Sequence, residues 1–83
     1  MEILAISRLL AAQLGGDWTL RRLAASGFCA TWQARCGDRL LFVKAGQPAL
    51  LEAEADGLQA LAAAGAVRVP RVMASGAGLL ALE

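Results

Sequence analysis

The run Leu40-Leu-Phe-Val-Lys44-Ala-Gly-Gln-Pro-Ala-Leu-Leu-Glu-Ala-Glu54-Ala-Asp-Gly-Leu-Gln-Ala-Leu61 reads as a strand, a short turn and a helix. Each element carries one charge where a hydrophobe is expected. At a helical period of about 100° per residue, Leu50, Leu51, Leu58, Leu61 and Ala62 fall on one apolar face with Glu54 near its middle. Glu52, Asp56 and Gln59 take the solvated face. Side chains alternate along a strand, so Lys44 shares a face with Leu40 and Phe42, while Leu41 and Val43 make the other face apolar. A strand apolar on both faces is expected to be covered on both. Lys44 and Glu54 then both point inward, and a charge taken out of water is costly unless paired. Singly, each would suit a solvated margin. Two opposite charges on consecutive elements instead predict a Lys44–Glu54 ion pair.

The flanking sequence extends this unit in both directions. Upstream, residues 28–36 alternate, with Phe28, Ala30, Trp32 and Ala34 on one face and Cys29, Thr31, Gln33 and Arg35 on the other. Gly37-Asp38 is a two-residue hairpin connection to a strand over 39–45. Ser26-Gly27 separates residues 28–36 from a first strand over 17–25. Residues 2–14 form an amphipathic helix with Ile3, Ile6, Leu10 and Leu14 on one stripe, stopped by Gly15-Gly16. Downstream, Pro48 suits a first helical turn, and the helix runs to about Ala64 and stops at Gly65. Pro70 keeps Val67–Arg71 extended. A fourth strand covers 72–75, a turn 76–78 and a fifth strand 79–83. The fold class is α+β: a five-stranded antiparallel sheet with one helix packed on a face and an extra N-terminal helix.

Composition bounds the function. Eighty-three residues make one small domain. The apolar share of 58% and mean hydropathy of +0.54 exceed the ordinary share of about 45–50%. Either apolar surface meets a partner, or the chain belongs to something larger. The net charge is +1 and dispersed, with no basic stripe. Trp18, Trp32, Phe28 and Phe42 are too scattered for a base-stacking platform, so nucleic acid is not expected as a partner. No run approaches the roughly 20 apolar residues of a membrane span, and the start Met-Glu-Ile-Leu-Ala-Ile-Ser-Arg lacks a signal peptide's positive beginning. A cytoplasmic location is expected, with no membrane partner. Cys29 and Cys36 have opposite parity in one strand and cannot pair there. With no histidine, a metal site within the chain is not expected.

A lysine on a strand held by a glutamate on the next helix is how kinase-type sites hold the α- and β-phosphates of a nucleotide. Three runs carry a wider likeness: Phe42-Val-Lys44, Glu52-Ala-Glu54-Ala-Asp-Gly-Leu58 and Val67-Arg-Val-Pro-Arg-Val72, followed by Leu79-Leu-Ala-Leu-Glu83. Over essentially all 83 residues the chain resembles the N-terminal lobe of the fructosamine (ketosamine) kinase family, within the aminoglycoside-phosphotransferase-like, protein-kinase-like superfamily. The resemblance implies a protein-kinase-like N-lobe that binds ATP. Lys44 matches the phosphate-binding lysine and Glu54 its helix partner. Ser26, Gly27, Phe28 and Cys29 match the loop covering the ATP phosphates. The family carries more than one glycine there, and here Phe28 takes one such position. Cys29 matches a loop cysteine that family members use in redox switching, although a small buried hydrophobe is the plainer reading of a cysteine. Glu83 matches the start of the hinge that meets adenine.

The catalytic groups of that family have no counterpart here. The chain has no His and no Asn, and Asp17, Asp38 and Asp56 fall at a strand start, a hairpin and a helix's polar face. The catalytic Asp and the Mg²⁺ ligands are expected from a C-terminal lobe outside these residues, so the 83 residues alone are expected to be inactive. The expected partners are ATP and a sugar–amine small molecule or glycated protein, with a homodimer through the uncovered cleft face. Another aminoglycoside- or choline-kinase-like phosphotransferase, and a non-catalytic dimerising module, are the competing readings.

Overall fold

The elements run α1 (Ile3–Leu14), β1 (Thr19–Ala25), β2 (Cys29–Cys36), β3 (Arg39–Gly46), α2 (Pro48–Ala64), β4 (Val72–Gly76) and β5 (Leu79–Leu82). They are seen in a computed structural model that describes residues 1–25, 29–65 and 67–83. The five strands form one antiparallel sheet in the order β1-β2-β3-β5-β4, so β5 is inserted between β3 and β4. The α+β class, the five-stranded sheet and the two helices agree with the sequence pattern.

The two helices lie on opposite faces of this sheet, α2 as the packed helix and α1 as the extra N-terminal one. The reason is in β5, whose four residues are all buried. Leu79 and Ala81 pack with Ile6 and Leu10 of α1, whereas Leu80 and Leu82 pack with Leu51 and Ala55 of α2. A strand apolar on both faces needs a layer on each.

The α1 layer is the larger. It gathers Trp18, Trp32, Ala34, Leu41, Val43 and Ala45 around Ile6 and Leu10. α1 ends at Gly15 (φ 73°), whose N–H donates to the Ala11 carbonyl at 2.8 Å. The Trp18 indole N–H donates to the Gly15 carbonyl at 2.8 Å, turning the ring into the core. β1 begins at Thr19, after this residue, and not at Asp17. Gly16 cannot be replaced freely, because a Cβ there would lie 2.7 Å from Cys36 Sγ. Arg39 lies 5.2 Å from the Trp18 ring and Arg22 5.6 Å from the Trp32 ring, so cations border this layer.

The α2 layer is narrower than the helix pattern predicts. Leu51 and Ala55 are buried and Leu58 packs beside them, an i, i+4, i+7 stripe. Leu50, Leu61 and Ala62, expected on the buried face, are exposed. α2 lies chiefly over β4 and β5, which leaves Leu50, Glu54 and Leu61 on one flank. β3 is likewise not covered on both faces along its length. Leu41, Val43 and Ala45 are buried on the α1 side, but Leu40 and Phe42 remain 45% and 40% exposed, because α2 reaches β3 only near Lys44.

Two short turns fix the sheet's ends. Gly37-Asp38 joins β2 to β3 as the sequence indicates. Ala77-Gly78 joins β4 to β5 with both residues at positive φ (53° and 81°), the backbone a I′ hairpin requires. The Gly46 N–H donates to the Gly78 carbonyl at 2.9 Å, so this turn also anchors the end of β3.

Candidate functional site

β3 sets Lys44 between Thr31 of β2 and Leu80 of β5, on the α2 face. Two turns into α2, Glu54 occupies the flank nearest β3. Lys44 Nζ donates to Glu54 Oε2 at 2.7 Å and to Oε1 at 3.0 Å. The side chains are 26% and 36% exposed, so both lie at a rim and neither is sealed in the core. A pair this open contributes only about 0.2–1 kcal/mol to stability. Its chief effect is orientation. Two ammonium protons are directed to one carboxylate, which leaves the third for another acceptor.

Beside the pair, the same sheet face forms an open cleft of about 240 Å³ lined by Leu23, Gln33, Leu40, Leu41, Phe42, Leu82 and Glu83. The register places Gln33, Phe42 and Leu82 in one row across β2, β3 and β5. Leu23 joins them because the β1–β2 register shifts between Arg22 and Ala24, leaving Leu23 as the extra residue of a bulge. Arg21 Nη2 donates to Gln33 Oε1 at 3.1 Å along the rim. The row containing Lys44 lies two residues further along, about 7 Å at ordinary strand rise. The apolar floor therefore lies one row away from an ammonium group on the same face.

The other expected site residues divide. Ser26, Gly27 and Phe28 lie outside the described residues. Cys29 is half-buried, opposite Gly46 in register and on the Lys44 face of β2. Glu83 lines the cleft, but its backbone N–H donates to the Arg71 carbonyl at 2.9 Å. Only acceptor groups of Glu83 remain to meet a ligand.

The sequence pattern anticipates an uncovered cleft face, but not the parts that Gln33, Arg21 and Leu23 take in it. A signal for Gln33 was present. A two-residue turn at Gly37-Asp38 fixes Gln33 opposite Phe42, and both share the Lys44 face by alternation. No comparable signal marks the bulge at Leu23. A larger depression of about 380 Å³ lies on the opposite flank of α2, between Glu52, Asp56 and Gln59 and the β4–β5 turn, away from Lys44.

Among the described residues, no group of three His, Cys, Asp or Glu side chains converges as a metal site, and no helix is long and apolar enough to cross a membrane. No known protein family, curated protein or solved structure matches the chain.

Proposed function

We propose that the chain is the N-terminal, ATP-binding lobe of a small-molecule kinase of the protein-kinase-like type. The observation that carries this reading is the Lys44–Glu54 pair, made between a strand and the following helix one row from an open apolar cleft. Lys44 has one proton left for a phosphate oxygen, and Glu54 fixes its direction. Leu23, Phe42 and Leu82 offer a base an apolar seat, with room for one pentose before the ammonium. ATP therefore fits the residues present. Mg²⁺ would neutralise charge on the transferring phosphoryl group, and its ligands and the catalytic Asp would come from residues outside this sequence.

Within this reading each residue has a limited task. Glu54 orients Lys44, and Lys44 orients the α- and β-phosphates. The apolar cleft excludes water from one side of the base. The acceptor, a fructosamine or ketosamine hydroxyl, rests on the resemblance of Phe42-Val-Lys44, residues 52–58 and residues 67–72 to that family. Another aminoglycoside- or choline-kinase-like acceptor is the alternative within the same class.

The test is titration of the chain with ATP, followed by NMR, beside the Lys44→Met and Glu54→Gln variants. Weak binding is expected, with shifts clustered at Lys44, Phe42 and Leu82 and lost in Lys44→Met. ATP binding that ignores Lys44, or no binding at all, would overturn the reading in favour of a non-catalytic module. The exposed Leu23, Leu40 and Phe42 would then serve association alone.

A further inference from the structure

We infer that Gln33, held in one orientation by Arg21, selects the base of the bound nucleotide by donating its side-chain N–H₂ to an acceptor on the edge of that base. This rests on the nucleotide reading above and adds a specificity-determining residue to it.

The Arg21–Gln33 contact fixes which way the amide points. A guanidinium can only donate, so the end of the Gln33 amide that meets Arg21 Nη2 at 3.1 Å must be the oxygen. This removes the usual ambiguity of a carboxamide. The N–H₂ end is thereby turned away from Arg21, on a residue that lines the cleft. Across the cleft, beyond Phe42 and Leu82, the next residue of the chain, Glu83, lines the far wall. Its N–H is consumed by Arg71, so it presents acceptors only.

The cleft thus has a donor on its β2 wall, acceptors on its β5 wall and apolar side chains between. A planar heterocycle with a ring or carbonyl acceptor on one edge and an amine on the other complements that arrangement. A base presenting an amine to Gln33 meets two donors facing each other, and its binding is penalised. The Lys44 ammonium, one row along, requires that the heterocycle carry an anionic group beyond its sugar. Arg21 touches no ligand in this scheme. It is a positioning residue, and its removal frees the amide to turn over.

The experiment measures ATP and GTP affinities for the chain and for Gln33→Leu, Gln33→Glu, Arg21→Ala and Lys44→Met. The unsubstituted chain should prefer one purine. Gln33→Leu and Gln33→Glu should change the ATP:GTP ratio by roughly fivefold or more, the scale of one net hydrogen bond. Arg21→Ala should move the ratio the same way by less. General damage to the fold would weaken both nucleotides together and leave the ratio unmoved. A ratio constant within about twofold in both Gln33 variants, with binding still dependent on Lys44, would overturn base selection by Gln33 and leave the nucleotide reading standing. Absence of Lys44-dependent binding of either nucleotide would remove both.

Discussion

The side-chain amide of Gln13 clasps the backbone of Ser75: its N–H₂ donates to the Ser75 carbonyl at 2.9 Å, and its carbonyl accepts the Ser75 N–H at 3.1 Å. β4 is an edge strand, and this contact from α1 occupies one residue's worth of the edge as a neighbouring strand would. Replacing Gln13 with Ala should leave the Ser75 amide to water. Hydrogen exchange at that amide should speed markedly while core amides keep their protection. Global stability should fall by about 1 kcal/mol or less. Unchanged exchange at Ser75 would show that the clasp is not held in solution.

The Lys44–Glu54 pair predicts a separation between stability and binding. Its half-exposed side chains make Lys44→Met and Glu54→Gln cost under about 1 kcal/mol each in urea unfolding. ATP affinity should nevertheless drop about tenfold or more in Lys44→Met. Unfolding of the chain by either substitution would mark the pair as structural support instead.

Leu80 and Leu40 make a contrasting pair. Leu80 of β5 is fully buried beneath α2, and Leu40 lies half in water on the open part of β3. Leu80→Ala should cost about 2–5 kcal/mol, a large part of what a domain this size possesses. Leu40→Ala should cost no more than about 0.5 kcal/mol. Thermal unfolding of the two variants would expose any error in the assigned layers, since equal losses would mean that both faces of β3 are covered.

Glycines give a prediction of opposite signs. Gly78 has φ 81°, and a Cβ there would stand 2.8 Å from the Gly46 carbonyl oxygen. Gly78→Ala should therefore destabilise by roughly 1–3 kcal/mol and disturb the end of β3. Gly57 lies inside α2 with nothing within 4 Å of an added Cβ. Gly57→Ala should stabilise by about 0.5–1 kcal/mol, through helix propensity alone. Melting temperatures moving apart in this way would confirm both backbones, whereas a stabilised Gly78→Ala would refute the turn.

Much of this architecture was legible because punctuation and periodicity agree. Gly37-Asp38, Pro48 and Gly65 bound their elements where the chain turns, and Lys44 and Glu54 betrayed themselves as charges among hydrophobes. What stayed hidden depends on which layer reaches how far. Leu50 and Leu61 satisfy the helical period as well as Leu51 and Leu58 do, and only the position of α2 over β4 and β5 decides between them. Leu40 and Phe42 look as buried as Leu41 and Val43 until α1 is found on one side and open space on the other. Trp18 belongs to the core because its indole N–H finds the Gly15 carbonyl, a contact without a sequence signature.

Leu23, Leu40 and Phe42 lie together on that open face, an apolar surface of the kind that associates. Sedimentation should show weight rising with concentration, and Phe42→Ser should lower it. A monomer at every concentration would mean that the face tolerates water.

The insertion of β5 between β3 and β4 has a consequence for the newly made chain. β1, β2 and β3 are neighbours in sequence and can pair as soon as they emerge. The other edge of β3, from Phe42 to Ala45, acquires its partner only when Leu79–Leu82 has been synthesised and has returned past α2. Until then the nascent protein carries a bare, apolar strand edge able to recruit the same segment of another copy. The interval between the making of β3 and the arrival of β5 is when mispairing between copies has its widest opening.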